Sequence, residues 1–213
     1  MENNNLFTIV NGVLEDCYDK TVKSVEIPEG VTKISRAAFY RCESLKEIII
    51  PESVIEIDDR AFSNCSSLKE IKIPDTVTEI GTGAFEYCSS LEKVILPEGV
   101  KIIKCTTFYN CSSLKEIKIP DTVTEIGTGA FSYCDSLEKV ILPDSVTVID
   151  VYAFSGCSSL KEIKIPDTVT EIGTGAFSYC DSLNTIQISK AANDNAIKKY
   201  FGINNHNCKI YMN

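Results

Sequence analysis

Hydrophobic and aromatic residues recur along this chain with a period of 23 residues. The phenylalanines of the series are Phe39, Phe62, Phe85, Phe108, Phe131, Phe154 and Phe177. Prolines and leucines repeat with the same period, from Pro28 to Pro166 and from Leu45 to Leu183. No insertion interrupts the seven repeats, so the sequence predicts a structure built of stacked repeat units.

The first half of each repeat predicts a short β-strand. In the repeat that begins at Cys65, the residues Leu68, Ile71 and Ile73 fit the L-x-x-L-x-L pattern of a solenoid strand. Pro74 cannot donate a hydrogen bond to a neighbouring strand and therefore ends this one.

The second half of the repeat predicts another extended segment and a compact turn. Val77 and Ile80 begin the segment, and Gly81 and Gly83 allow the chain to bend after it. We expect the following Ala-Phe pair to form one turn of 3₁₀- or α-helix. One such coil cannot bury its apolar side alone, so coils stack at ~4.8 Å and repeated positions become ladders. The repeats therefore predict a mostly β solenoid with a short helical turn in each coil.

The combined pattern L-x-x-I-x-I-P-x-x-V-x-x-I-G-x-x-A-F-x-x-C-x-x-L resembles the BspA-like, or treponemal, class of leucine-rich repeats. The resemblance extends roughly from Val25 to Ile188. The residues that depart from the pattern are few: Thr107 at its alanine, and Ser35, Asp58, Lys104 and Asp150 at its glycine. The resemblance implies a right-handed, arc-shaped solenoid with a parallel sheet on one face and the short helical turns opposite. It also implies a role in adhesion or recognition.

Both ends of the chain predict caps that cover the terminal coils, giving a single domain over residues 1–213. The N-terminal cap, the repeats and the C-terminal cap are predicted over residues 1–22, 23–188 and 189–213. Asn11-Gly12 between two apolar-rich stretches, Leu6 to Val10 and Val13 to Cys17, predicts a β-hairpin. We expect a helix over Ala191 to Phe201 and a final strand over Cys208 to Met212.

The composition limits the partners and the location of the protein. With a net charge of −9, the chain repels phosphate backbones, so nucleic acid is not an expected partner. No apolar run approaches the ~20 residues of a membrane helix, so no membrane insertion is expected. Residues Met1 to Asn5 lack the basic start and apolar stretch of a secretory signal. We expect a cytoplasmic protein as the sequence stands, and a secreted or surface protein if a signal is removed from its natural precursor.

Three rows of polar residues raise the question of chemistry. Seven of the ten cysteines recur every 23 residues and His206 is the only histidine, so we expect buried free thiols, with neither metal nor cofactor. A serine row from Ser44 to Ser182 lacks a base, so we expect its hydroxyls to bond to backbone in a tight loop. An acidic row from Glu29 to Asp167 fits a solvated turn edge, with weak cation binding as the alternative.

Residues that point outward from the strands form three further rows. The first two alternate in charge along much of the stack, as at Glu92 and Lys115, and predict a ladder of ion pairs. The third contains the candidate partner-binding residues Ile49, Lys72, Ile95, Lys118, Ile141 and Lys164. Its isoleucines would form an apolar stripe that suits a partner; strand propensity, with lysine stems covering them, is the alternative. On the loop side, a similar alternating row consists of Tyr87, Tyr133 and Tyr179.

These observations predict a non-catalytic scaffold that binds another protein through its strand side, in adhesion or recognition. A unit of two coils recurs nearly unchanged from Cys65, Cys111 and Cys157. Near-identical copies argue against an enzyme, because an active site is a single set of different groups that occurs once in the chain. The alternative is a structural or adhesive spacer without a discrete binding site.

Overall fold

Each 23-residue repeat forms one coil of a parallel β-solenoid, as the sequence predicts. The computed structural model describes residues 6–188 and 208–212. The first nine strands are β1 (Phe7–Val10), β2 (Val13–Cys17), β3 (Ser24–Glu26), β4 (Lys33–Ile34), β5 (Glu47–Ile49), β6 (Glu56–Ile57), β7 (Glu70–Lys72), β8 (Glu79–Ile80) and β9 (Lys93–Ile95). The others are β10 (Ile102–Ile103), β11 (Glu116–Lys118), β12 (Glu125–Ile126), β13 (Lys139–Ile141), β14 (Val148–Ile149), β15 (Glu162–Lys164), β16 (Glu171–Ile172), β17 (Thr185–Ile188) and β18 (Lys209–Met212).

Two strands from each coil form two walls of parallel strands. The longer strands, the odd-numbered ones from β3 to β17, form a wall that we call the strand face. Each residue pairs with the equivalent residue one repeat later, so that Ile71 of β7 lies beside Val94 of β9. Ladders join these strands as β3–β5, β7–β9, β11–β13 and β15–β17–β18, which reproduces the two-coil unit of the sequence. The two-residue strands form the second wall, where Ile126 pairs with Ile149.

The centre of the solenoid is a stack of phenylalanine rings. From Phe39 to Phe177 neighbouring rings lie nearly parallel, with centroids 5.0–5.5 Å apart and interplanar angles of 3–12°. All seven rings are fully buried, together with the leucines of the same repeats. Each aromatic pair contributes ~0.5–1.5 kcal/mol beyond the burial of its area. The predicted core ladders are therefore present.

The predicted helical turns are wrong, because the segment opposite the strand face is a spiral of overlapping β-turns. The N–H groups of Ala84 and Glu86 donate to carbonyls three residues earlier. The residue after each of these, Phe85 and Tyr87, donates its N–H to a carbonyl of the next coil. In residues 6–188 and 208–212, no helix has the length and apolar character needed to cross a membrane.

Left-handed backbone conformations prevent these turns from continuing as a helix. Every coil has two residues with positive φ, four positions apart, such as Gly83 at 61° and Tyr87 at 60°. This region costs an L-residue roughly 1–2 kcal/mol, and glycine adopts it freely. Alternate N–H groups then point along the stack and join neighbouring coils, which the N–H groups of a helix could not do.

The predicted N-terminal hairpin is present. Strands β1 and β2 pair antiparallel around Asn11 and Gly12, and both residues have the positive φ that a type I′ turn requires. Strand β2 then pairs parallel with β4, so the hairpin continues the second wall. At the other end, β18 pairs with β17, in agreement with the predicted final strand. The predicted helix over Ala191 to Phe201 lies outside the described residues.

The phenylalanine stack predicts a large loss of stability from one truncation at its centre. In Phe108→Ala the ring between Phe85 and Phe131 is removed, and we expect the free energy of unfolding to fall by about 3–5 kcal/mol. Urea denaturation measures the change. The control Ile141→Ala removes an exposed side chain, so its cost is expected below about 1 kcal/mol. A similar, small loss in both variants would contradict the shared core.

Candidate functional site

The six candidate residues of the strand face occupy one repeat position. They end strands β5, β7, β9, β11, β13 and β15, and are Ile49, Lys72, Ile95, Lys118, Ile141 and Lys164. The middle residue of each strand is buried, so the alternation of an extended chain directs the last residue to solvent. The three isoleucines are 61%, 42% and 47% exposed in chain order. The structure thus brings all six residues onto one open surface.

In-register pairing places a lysine beside an isoleucine. Lys72 pairs with Ile95, and Lys118 pairs with Ile141. With strands ~4.8 Å apart, isoleucines two coils apart are separated by about 10 Å, and a lysine lies between them. The ammonium of Lys118 is 3.9 Å from a carboxylate oxygen of Glu98, at the turn after the strand face. The row therefore combines apolar side chains with positive charges.

The predicted ladder of ion pairs is formed in part beside this row. Three pairs bridge neighbouring coils, with N···O distances of 2.9, 3.5 and 3.3 Å: Glu70–Lys93, Glu92–Lys115 and Glu138–Lys161. Their side chains are about half exposed or more, so each pair contributes only ~0.2–1 kcal/mol. These pairs offset part of the charge in the first two rows, so the isoleucine–lysine row is the apolar feature of the strand face.

The cysteine row lies in the core, and its thiols have defined partners. Cys65 Sγ donates to the carbonyl of Phe39 at 3.2 Å, and Cys111 Sγ donates to that of Phe85 at 3.2 Å. The same bond is made by Cys88, Cys134, Cys157 and Cys180. Burial raises the pKa of Cys65 to about 12 and the pKa of Cys111 well above its ordinary value. Each of these thiols satisfies a carbonyl of an earlier coil, and the raised pKa keeps Cys65 and Cys111 neutral at physiological pH.

The serine and acidic rows lie at the surface turns. Hydroxyl bonds to backbone are made one position before the predicted serine row, by Ser112 to the Ser89 carbonyl and by Ser158 to the Asp135 carbonyl. The predicted row contributes backbone N–H groups, such as that of Ser136 to the Ser112 carbonyl. The acidic side chains are exposed. Within the described part of the chain, no group of His, Cys, Asp and Glu residues could hold a metal ion.

The turn spirals carry five tyrosines, of which the repeat pattern of the sequence predicts three. Five successive coils each contribute one tyrosine to this side, which we call the turn face: Tyr87, Tyr109, Tyr133, Tyr152 and Tyr179. The first, third and fifth share a repeat position and form the predicted row. Tyr109 and Tyr152 occupy two other positions of the repeat, so a comparison position by position misses them. Counting tyrosines per coil would find all five.

Comparison with known proteins relates this chain to one family. The profile of the BspA type leucine rich repeat region, with six copies, matches residues 9–138 and 78–209. The solved structure of a T. pallidum leucine rich repeat protein is similar at 30% identity, with a TM-score of 0.74, over 92% of this chain and 90% of that one. None of the curated proteins compared matches the chain.

Two longer bacterial proteins of known structure are also similar. A leucine rich cell surface protein of Faecalibacterium prausnitzii is 31% identical over 90% of this chain, with a TM-score of 0.54. A leucine-rich repeat protein of Eubacterium ventriosum is 29% identical over 84% of this chain, with a TM-score of 0.70. This chain spans only 60% and 51% of the lengths of those two proteins.

Thiol labelling tests the assignment of the cysteines. Cys105 is exposed, whereas the row cysteines are buried, and a disulfide reagent must reach a thiol before its thiolate can attack. At about pH 8 we expect the exposed Cys105 to be the fastest-reacting thiol of the folded protein, with the half-buried Cys208 slower, and we expect Cys105→Ser to remove the fastest reaction. Because burial raises the pKa of Cys65, Cys88, Cys111, Cys134 and Cys157, raising the pH to about 9 is expected to add none of these five to the fast thiols. The unfolded protein is the control, in which all ten cysteines react. Peptide mapping that finds a row cysteine among the fast thiols would overturn the assignment.

Proposed function

The chain belongs to the family of BspA-type leucine-rich-repeat proteins, and from this premise we propose that it is a non-catalytic scaffold that binds another protein through its strand face. The observation that carries the proposal is the row of three exposed isoleucines, Ile49, Ile95 and Ile141. Full burial of one such side chain contributes about 1.5–3 kcal/mol. Their partial exposure therefore leaves a few kcal/mol available to a partner.

The dimensions and charge of the strand face support this assignment. From Ile49 to Lys164 the row extends over about 24 Å, a length compatible with a standard protein interface. Lys72, Lys118 and Lys164 alternate with the isoleucines on this face. A matching partner presents apolar side chains about 10 Å apart, with carboxylates between them.

The repetition of the chain supports a binding role over a catalytic one. Each surface position of the two-coil unit recurs two or three times, so a partner can contact several equal sites. A relative from Faecalibacterium prausnitzii is described as a cell surface protein, which supports a surface location and an adhesive role for this chain as well. The second candidate is a spacer, whose function would depend on the number of coils and tolerate changes on the strand face.

Two matched double variants test the strand face. Ile95→Lys with Ile141→Lys adds charge to the row, and we expect capture of the binding partner to weaken at least about tenfold because apolar contact is replaced by charge. The control, Ile55→Lys with Ile102→Lys, changes isoleucines that are 54% and 41% exposed away from the strand face. Immobilised proteins and quantitative mass spectrometry of the captured partners give the comparison, and circular dichroism checks the folding. Equal capture by the two variants would reject the strand face as the binding surface.

A further inference from the structure

The tyrosines of the turn face line a groove that the proposed strand-face site does not use. Tyr109, Tyr133, Tyr152 and Tyr179 enclose about 420 Å³ together with the side chains of Thr128 and Ser155. A second groove of about 370 Å³ adjoins it, since it shares Tyr133 and Tyr179, and this part is lined by Asp135 and Asp181. Neither lining contains a lysine or an arginine. The surface is therefore aromatic, rich in hydroxyls and acidic at one side.

Four of the five tyrosines stand where the backbone disfavours them. Tyr87, Tyr133, Tyr152 and Tyr179 have φ between 55° and 60°. Of the ten other residues at these two repeat positions, six are glycine or asparagine. A bulky residue in the left-handed region lowers stability, and such strain collects at functional sites. Because glycine or asparagine would fit these positions at lower cost, core stability does not explain the tyrosines.

The rings are held in place before any ligand binds. Tyr109 makes edge-to-face contacts with Tyr87 and Tyr133, with centroids 5.3 and 5.5 Å apart. The Tyr133 ring lies against Gly156, where a Cβ would come within 2.9 Å of its Cδ1. Tyr152 packs in the same way on Gly175. Fixed rings lose little conformational entropy on binding, so they suit a preorganised site.

We propose that the turn face binds a proline-rich segment that carries arginine or lysine, in the polyproline II conformation. Such segments dock in grooves lined by aromatic side chains, and their carbonyls have no internal hydrogen-bond partner. Tyrosine hydroxyls can donate to these carbonyls, whereas the hydroxyl of Thr128 already donates to Asp150. The basic side chains of the segment face Asp135 and Asp181. The net charge of −9 on the whole chain also attracts a positively charged partner.

The spacing of the coils matches this conformation. Three residues of polyproline II advance about 9 Å, and two coils of the solenoid advance about 10 Å. Tyr87, Tyr133 and Tyr179 share one repeat position and lie two coils apart. Successive turns of the segment therefore meet Tyr133 and Tyr179, the two tyrosines of this position that line the groove.

A peptide-binding experiment on the whole chain tests the proposal. The probe is a synthetic peptide of Pro-Pro-Arg repeats, measured by fluorescence anisotropy. Peptides of Gly-Gly-Arg repeats and of Pro-Pro-Glu repeats separate the contribution of conformation from that of charge, and both are expected to bind at least about tenfold more weakly. Equal binding of the Gly-Gly-Arg peptide would overturn the proposal, because charge alone would then suffice. Binding of a neutral oligosaccharide in place of the Pro-Pro-Arg peptide would also overturn it.

The variant Tyr133→Asn with Tyr152→Gly distinguishes a binding role from a structural one. We expect at least about a tenfold loss of affinity for the Pro-Pro-Arg peptide, while Tm holds or rises by about 2–4 °C for each residue relieved of strain. A fall in Tm with unchanged affinity would show that the tyrosines are structural and would overturn the proposal. Asp135→Asn with Asp181→Asn is a second variant, expected to weaken binding of the same peptide. The affinity of this variant is also expected to depend less on salt concentration. Ile95→Lys with Ile141→Lys is expected to retain peptide affinity, so the proposals for the strand face and the turn face are tested independently.

Discussion

Every coil of this protein depends on its neighbours for both its apolar contacts and its backbone hydrogen bonds. A single coil leaves both faces of its phenylalanine ring uncovered, and alternate N–H groups of its turn spiral have no partner within the coil. Stacking satisfies both needs: Phe85 lies between Phe62 and Phe108, and its N–H bonds to the carbonyl of Thr107. The strict 23-residue period follows, because one residue more or fewer would displace the ring and its acceptor together.

The same dependence explains which parts of the fold could be predicted from the sequence. Core positions must repeat in residue type, so the phenylalanine, leucine and cysteine rows could be read directly, as could the strands between them. The helical turn was predicted wrongly because left-handed positions do not demand one residue type here. Gly83 suggests such a position, but Ala37, Arg60 and Tyr152 occupy the equivalent place with positive φ. Contacts along the stack hold these residues in a conformation that their side chains disfavour.

The surfaces could be predicted less evenly, for a related reason. On the strand face, alternation along an extended chain fixes which side chains are outside, so the row of Ile95 and Lys118 could be found from spacing alone. On the turn face, side chains from several repeat positions reach the same region. Tyr109 and Tyr152 therefore join the groove although neither shares a position with Tyr133. A groove requires only that each coil contribute some ring, whereas a core ladder requires the same ring in the same place.

The pairing of strands two by two makes two coils the natural unit by which the chain can be duplicated or shortened. From Lys69 onward, the order of isoleucine and lysine and the sign of the charges beside them repeat only after two coils. Recombination between copies that gains or loses one coil would set like charges side by side at the junction, at a cost in stability. Recombination by two coils keeps every neighbour relation. Lineages of this chain can therefore lengthen or shorten their surfaces in double steps without changing the chemistry that those surfaces present.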